Sequence, residues 1–183
     1  MIESGHELAN HTYSHPHLTS LEQNGMQHTL PGINRQYIFR QLTKTDSIIY
    51  NNFNVHLKPY WRAPYGEINS AILSWAAELG YRHIFWSSGC DTWDWVEDTD
   101  SDFYRTPEEI YNHLMNLELK GKLKGSIILM HLGSDRKSEF PYLILSKLID
   151  SLRDKGYKFL TVSQLLRYNI KEKGISKKTR FDS

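Results

Sequence analysis

Histidines are concentrated near the start of the chain, where the sequence reads GHELANHTYSHPHL. His11 and His15 stand four residues apart, a spacing that puts two imidazoles on one face of a helix, where both can bind one metal ion. Pro16 disfavours helical dihedrals at His15, so a loop can hold the pair equally well. The spacing indicates a metal-binding pair, and the simpler interpretation is two surface or hydrogen-bonded histidines.

Another histidine ends an apolar run that reads SIILMHL. His131 stands at the end of this predicted strand, and in parallel α/β sheets the catalytic groups lie where strands end. A histidine side chain titrates near neutral pH, which suits a general acid or base. The position predicts a catalytic role, and the simpler interpretation is a hydrogen-bonded histidine in the core.

The segment CDTWDW follows the apolar run HIFWSS and combines carboxylates with tryptophans. Asp91 and Asp94 stand at this predicted strand end, where a carboxylate can orient a histidine and raise its basicity. Trp93 and Trp95 could form a flat wall for a sugar ring. The alternative interpretation is a polar loop with core tryptophans.

A third predicted strand end reads WRAPYG. If the guanidinium of Arg62 is buried, it needs a carboxylate partner. Pro64 restricts the turn, so the backbone N–H of Tyr65 can point into a pocket and stabilise an oxyanion. Taken alone, this segment is only a turn.

Helical patterns alternate with the apolar runs that must position these residues. We predict helices in INRQYIFRQLTKTDSIIY, NSAILSWAAELG, TPEEIYNHLMNLEL and FPYLILSKLIDSLRDKG, and strands in YWRAPY, HIFWSS, SIILMHL and KFLTV. Thr106 and Glu109 predict a capping box, and Ser163 is predicted to cap a final short helix. The alternation favours a parallel sheet covered by helices. A closed eight-stranded barrel typically needs about 250 residues, so we expect an open sheet or an incomplete barrel.

The composition excludes several classes of protein. The chain has 22 basic and 21 acidic residues, so it lacks the positive charge typical of nucleic-acid binding. No apolar run approaches the roughly 20 residues of a membrane-spanning helix. Cys90 is the only cysteine, so no internal disulfide can form. We predict one catalytic domain over residues 1–170 and a basic flexible tail over 171–183.

In their order along the chain, these motifs resemble those of the polysaccharide deacetylase family. This is carbohydrate esterase family four, which includes chitin, peptidoglycan and xylan deacetylases. The resemblance runs from GHELANHTYSHP to KGYKFLTVSQLL. It implies that His11 and His15 bind the metal, that Arg62 orients a catalytic aspartate, and that the backbone N–H of Tyr65 contributes to an oxyanion hole.

The two later motifs carry the remaining roles that the resemblance implies. Asp94 would tune the catalytic His131, which would act as the general acid. The substrate-binding residues would be Pro64, Trp95 and Leu129, with Trp95 lining the pocket and Leu129 forming part of the acetyl pocket. We expect the three histidines to converge on one ion at the rim of a barrel.

The resemblance also implies a fold, a cofactor and a reaction. The fold would be an α/β fold, a distorted (β/α) barrel, with a divalent metal, usually zinc, at its C-terminal mouth. The metal polarises the acetyl carbonyl and activates a water, an aspartate accepts the water's proton, and His131 protonates the departing amine. The substrate would be an acetylated polysaccharide such as peptidoglycan or chitin, outside the cytoplasm or in the cell envelope.

One motif of the family has no counterpart in this sequence. The family's TFDD-like motif lies upstream of the histidine motif and supplies the base and a third metal ligand. We therefore expect an N-terminally incomplete barrel with impaired activity, which a missing segment or a partner chain would complete. Two alternatives stay open: a non-catalytic carbohydrate-binding remnant with an aromatic groove (Trp61, Trp86, Trp93, Trp95), and an amidase acting on non-sugar acyl amides.

Overall fold

The computed structural model describes residues 3–172, with the side chains of residues 169–172 left out. The chain divides into two compact units, Met1–Phe85 and Trp86–Ser183. The first unit contains α1 (Leu21–Asn24), α2 (Arg35–Phe53), β1 (Tyr60–Trp61), a 3₁₀ turn (Pro64–Gly66), α3 (Ser70–Glu78) and β2 (Arg82–His83). The second contains α4 (Pro107–Leu119), a 3₁₀ turn (Pro141–Ile144), α5 (Leu145–Asp154) and α6 (Val162–Glu172).

The two longer helices of the first unit, α2 and α3, begin at asparagine caps. The side chain of Asn34 accepts a hydrogen bond from the N–H of Tyr37 at the start of α2, and Asn69 accepts one from Ile72 at the start of α3. Such caps satisfy one of the N–H groups that a helix start leaves unpaired. The buried faces of both helices meet in one apolar core, made of Leu18, Ile38, Leu42, Trp61, Ala63, Ile72 and Ala76.

Three segments of the first unit run parallel to one another. Tyr60 pairs with Arg82 and Trp61 pairs with His83, and Asn10 forms a parallel bridge to Trp61. The predicted parallel direction is therefore confirmed for these segments. As a consequence, His11 and Arg62 both follow directly after paired residues, at the carboxyl ends of neighbouring segments.

The second unit repeats this arrangement with less pairing. Asp91 forms a parallel bridge to Leu129, and the N–H of Leu129 donates to the carbonyl of Cys90 over 3.0 Å. Cys90 is fully buried in a core with residues of α4 (Ile110, Leu114), of the second 3₁₀ turn (Ile144) and of α5 (Leu148, Leu152), together with Leu123 after α4. The predicted capping box of Thr106 and Glu109 is present at the start of α4.

Several predictions about local structure are wrong. Of the predicted strand HIFWSS only His83 lies in β2, and SIILMHL contributes an isolated bridge at Leu129 instead of a strand. KFLTV contributes no strand, and its Phe159 and Leu160 are about half exposed. Ser163 lies inside α6, and Thr161 provides the cap, since its hydroxyl accepts from the N–H of Gln164 over 3.3 Å. The Gln164 side chain in turn accepts from the N–H of Thr161 over 2.9 Å.

The predicted barrel is not confirmed. Between residues 3 and 172, regular strands are confined to β1 and β2. The apolar runs before Asp91 and around Leu129 form an isolated bridge and a backbone hydrogen bond from Ser87 to Ile127, but no regular strand. A strand is defined by its hydrogen-bonded neighbours, which an apolar run alone does not supply. Across the same residues, no helix is long and apolar enough to cross a membrane. The predicted domain over 1–170 stays a prediction, and beyond Glu172 the predicted tail lies outside the described residues.

Candidate active-site residues

His11 and His15 lie in a loop, which we call the histidine loop (residues 11–17). Thr12 and His15 have positive φ angles of 66° and 50°, so the helical geometry considered for the pair is wrong and the loop geometry is right. The two imidazole rings nevertheless lie close together, with centroids 4.9 Å apart and planes at 79°. Two ligand-type side chains thus meet on one side of the loop.

The backbone of the neighbouring segment fixes the orientation of the first ring. His11 Nδ1 lies 2.8 Å from the carbonyl oxygen of Arg62. Because a carbonyl only accepts, Nδ1 must carry the proton, and in the neutral ring Nε2 then holds the lone pair. Metal-binding histidines commonly use their second nitrogen in this way. The arrangement of His11 therefore fits a metal ligand.

Buried side-chain acceptors hold the strained backbone of the histidine loop. Asn10 Oδ1 accepts from the N–H of Thr12, and Gln41 Oε1 accepts from the N–H groups of Tyr13 and Ser14, each over 2.9 Å. Residues with positive φ cost on the order of 1–3 kcal/mol each when they are not glycine. These hydrogen bonds offset part of that cost and hold His15 in its left-handed conformation.

Sequence analysis missed the group that holds the far end of this loop. Glu67 is 0% exposed, and its carboxylate accepts from the N–H groups of Leu18 and Thr19 over 2.5 and 2.9 Å. Its other oxygen lies 2.8 Å from His17 Nδ1. The ring of His17 in turn stacks on Tyr65, with centroids 3.9 Å apart. No local pattern marks Glu67, because its three partners stand about fifty residues earlier.

The segment WRAPYG supplies backbone groups as well as side chains. Tyr65 has a positive φ of 57° beside the buried Pro64, and its ring is 52% exposed. The N–H of Ala63 donates to His83 Nε2 over 3.2 Å. Burial, and then the positive charge of Arg62, lower the pKa of His83 to about 4. The predicted roles of the Arg62 guanidinium and the Tyr65 N–H stay predictions.

One polar group between the two histidines is buried without a partner. Thr12 Oγ1 has no hydrogen-bond partner within the described part of the chain. Buried hydroxyls are normally hydrogen-bonded, so this atom is suited to a group that binds beside His11 and His15. Over residues 3–172, no cluster of three or more His, Cys, Asp or Glu side chains is placed to hold a metal ion.

In the second unit, Asp94 and His131 form the predicted pair. The carboxylate of Asp94 accepts two hydrogen bonds from His131, one from its backbone N–H over 2.6 Å and one from Nδ1 over 2.7 Å. Asp94 is 1% exposed, whereas about a third of the His131 side chain is accessible. The bond at Nδ1 places the proton there and makes Nε2 the nitrogen available for proton transfer at the surface.

The electrostatics of Asp94 favour its ionised form. Burial alone would raise the pKa of its carboxyl, but hydrogen bonds from the His131 ring and backbone, the charge of that ring and a bond from Thr92 lower it below its ordinary value. Asp94 therefore remains a carboxylate, which keeps the ring of His131 in one orientation.

A cavity of about 130 Å³ opens beside this pair. Its lining comprises Asp94, His131, Gly133, Ser134, Phe140, Pro141 and Tyr142. Trp95 and Leu129 are not part of this lining: Trp95 is 49% exposed and Leu129 is buried, with its carbonyl accepting from Thr92 Oγ1. The cavity is therefore walled by Phe140 and Tyr142, which the sequence analysis did not single out.

The comparisons with known proteins agree with these motifs. Residues 1–84 match the family model of the polysaccharide deacetylases. The recognition made from the motifs is confirmed: this chain is related to the polysaccharide deacetylases.

Individual relatives make the relationship specific. A peptidoglycan-N-acetylglucosamine deacetylase of Bacillus cereus is 29% identical over 168 residues, which cover 92% of this chain and 67% of the relative. A second deacetylase with that name from the same species is 28% identical, over 94% of this chain and 54% of the relative. Chitin deacetylase 1 of Saccharomyces cerevisiae is 33% identical, over 76% and 40% respectively. The chain thus spans between two fifths and two thirds of the length of these curated relatives.

Solved structures show the same likeness. A peptidoglycan N-acetylglucosamine deacetylase, crystallised with an N-oxidanyl-benzamide, superposes with a TM-score of 0.67 and 28% identity, over 89% of this chain and 64% of that one. An acetyl xylan esterase of Clostridium thermocellum, solved with a cobalt ion, gives a TM-score of 0.68 at 21% identity, over 92% and 67%. The second comparison shows likeness of fold alone.

Proposed function

We propose that this chain is part of a metal-dependent hydrolase that removes acetyl groups from a polysaccharide such as peptidoglycan or chitin. The observation that carries the proposal is the Asp94–His131 pair, in which a buried carboxylate binds the ring of a histidine that is about one third accessible, beside a cavity. The relatives named above support the substrate class. The same relatives support a location in the cell envelope or outside the cell, and a distorted (β/α) barrel as the fold.

The ring of His131 performs the proton transfer in this proposal. Its Nε2 delivers a proton to the departing amine, while Nδ1 keeps its proton because Asp94 accepts from it. The carboxylate stabilises the imidazolium form that precedes the transfer. An ester substrate needs the same donation to its departing oxygen, so the pair also suits O-acetyl groups.

His11 and His15 would hold the divalent metal, for which zinc is the expected ion. A bound divalent metal polarises the acetyl carbonyl and lowers the pKa of a bound water. The Nδ1 proton of His11, fixed by the Arg62 carbonyl, leaves Nε2 as the ligand nitrogen. We assign Arg62 to orienting a carboxylate, the Tyr65 N–H to the oxyanion, and Pro64, Trp95 and Leu129 to contacts with the sugar and acetyl group.

Acetate release tests the proposal directly. The full chain is loaded with zinc and incubated with N-acetylglucosamine oligomers and with peptidoglycan, and acetate is measured enzymatically. His131→Gln should lower kcat/KM by about 10²- to 10⁴-fold, because general acid catalysis contributes that much. His56→Gln is the matched control, since that ring is exposed and pairs with Asp46.

Metal binding provides an independent measurement. His11→Asn and His15→Asn should abolish zinc retention after dialysis, measured by elemental analysis, whereas His56→Gln should leave it unchanged. Glycan binding that a chelator does not affect, with no acetate released, would contradict the proposal and favour a carbohydrate-binding remnant. Release from acyl-amino substrates alone would favour an amidase.

A further inference from the structure

Arg136 is a buried cation that the proposed reaction does not use. It is 5% exposed and stands five residues after His131. Its guanidinium donates to four backbone carbonyls: Val96 over 2.7 Å, Arg105 over 2.8 Å, Trp93 over 3.2 Å and Glu139 over 3.4 Å. A buried charge is costly unless it is hydrogen-bonded, so these contacts are specific.

Two of those carbonyls flank Asp94 along the chain. Trp93 precedes Asp94 and has a positive φ of 56°, and Val96 follows two residues later. The guanidinium of Arg136 therefore donates hydrogen bonds to the backbone on both sides of Asp94. The segment that carries His131 and Arg136 makes four hydrogen bonds to the Trp93–Val96 segment, two from His131 to the Asp94 carboxylate and two from Arg136 to the backbone.

An aromatic ring covers one face of the Arg136 guanidinium. Its Cζ lies 4.3 Å from the ring centroid of Tyr104, and the Tyr104 hydroxyl donates to Glu139 Oε2 over 2.5 Å. Glu139 directly precedes Phe140, which lines the cavity beside the pair. A planar fork with several fixed N–H directions suits these contacts, and a lysine ammonium does not reproduce them.

We propose that Arg136 is a positioning residue, which sets the backbone of residues 93–96 so that both oxygens of Asp94 meet His131. The catalytic meaning of this role rests on the proposed function, but the geometric role does not. Hydrogen bonds from a charged donor are stronger than those between neutral groups, so several of them together can select one loop conformation. A guanidinium that only filled space would not control the Asp94–His131 hydrogen bond.

Proton NMR of the full chain tests the geometric role. The His131 Nδ1 proton, shared with a buried carboxylate, should give a downfield resonance, assigned by its loss in Asp94→Asn. In Arg136→Lys and Arg136→Gln this resonance should move upfield and broaden, while the helical circular dichroism is retained. Arg153→Gln is the matched control, because that guanidinium is exposed in the same unit.

Chemical rescue separates positioning from general stability. Millimolar guanidinium ion added to Arg136→Ala should restore the resonance, whereas the same concentration of ammonium should not. An unchanged resonance in folded Arg136→Lys and Arg136→Gln would overturn the proposal. Loss of the resonance in Arg153→Gln to the same extent would overturn it too, since any arginine would then have the effect.

Kinetics distinguish failure of this inference from failure of the proposed function. If the chain releases acetate, Arg136→Lys should lower kcat by about 10- to 100-fold, as outer residues that orient a site do, with KM and zinc retention little changed. Equal kcat values for Arg136→Lys and the parent chain would count against the inference. Absence of acetate release from the parent chain, which is expected if the missing TFDD-like motif supplies the base, leaves the NMR result to decide the role of Arg136.

Discussion

The histidine loop and the segment around Asp94, which we call the aspartate loop (residues 91–96), differ in the side chains that hold them. Each has side-chain oxygens that accept backbone N–H groups, and in the aspartate loop Asp91 Oδ1 accepts from the N–H of Trp93 over 3.0 Å. Side-chain oxygens of Asn10, Gln41 and Glu67 receive backbone N–H groups in and just after the histidine loop. Arg136 in addition donates to backbone carbonyls of the aspartate loop. A loop whose buried N–H groups point inward needs side-chain acceptors, and a loop whose buried carbonyls point inward needs a side-chain donor.

The largest effect is expected from removing the acceptor at the end of the histidine loop. Glu67→Ala leaves the N–H groups of Leu18 and Thr19 buried without their acceptor, and we expect the free energy of unfolding to fall by about 2–5 kcal/mol. Urea denaturation followed by tryptophan fluorescence measures the change. Glu22→Ala is the control, because that carboxylate contacts the same His17 but is exposed, and should change stability by about 0.5 kcal/mol or less. An equal decrease in the free energy of unfolding in both variants would contradict the role assigned to Glu67.

The aspartate loop should lose stability only in strong acid. The pKa of Asp94 is lowered from its ordinary value of 3.8, so its stabilising contribution is fully present above that value and is lost as pH falls through the lower pKa of the folded state. Asp94→Asn should be less stable than the parent chain at neutral pH, and the difference should shrink below pH 3.8. Urea denaturation across this range measures it, and a constant difference would contradict the assignment.

His83, in the parallel segments beside the histidine loop, should make the free energy of unfolding depend on pH in a less acidic range than Asp94 does. Burial and Arg62 lower the pKa of His83 from 6.5 to about 4, so the folded state resists a proton that the unfolded chain accepts. His83 should therefore cause stability to fall as pH drops from 6.5 to about 4 and to level off below that. His83→Gln, which keeps an acceptor for the Ala63 N–H, should flatten this part of the curve. The same slope in the variant would show that another group is responsible.

The smallest effect is expected at the start of α4, which belongs to neither loop. Thr106→Ala removes the capping box of α4 and should cost about 1 kcal/mol, whereas Thr106→Ser, which keeps the hydroxyl, should cost much less. Thermal unfolding by circular dichroism compares the two variants. Equal melting temperatures for Thr106→Ala and Thr106→Ser would show that the cap contributes little to this unit.

Sequence patterns predicted those features that depend on near neighbours or on motifs that resemble those of a known family. The start of α4 follows from Thr106, Pro107 and Glu109, which act within one helical turn. The pairing of Asp94 with His131, which stand 37 residues apart, was predicted from the resemblance of DTWDW and ILMH to motifs of the family. In both cases the residues that determine the structure are adjacent in sequence or repeat a known motif.

The features that were missed depend on distant partners. Gln41, Glu67 and Arg136 act on backbone groups that, apart from the nearby Glu139 carbonyl, stand 27 to 49 residues away in sequence, and no local pattern marks them. Pro16 signals that His15 is not helical, but it does not signal a left-handed conformation. Strand lengths were overestimated for the same reason, because pairing depends on neighbours that the apolar runs do not specify.

The single cysteine has a practical consequence. Cys90 is fully buried, its carbonyl accepts from Leu129, and burial raises the pKa of its thiol. Thiol reagents attack the thiolate, so they can modify Cys90 only after this region opens. The rate at which Cys90 exchanges with an aromatic disulfide reagent therefore measures how often the segment preceding Asp94 separates from the segment around Leu129.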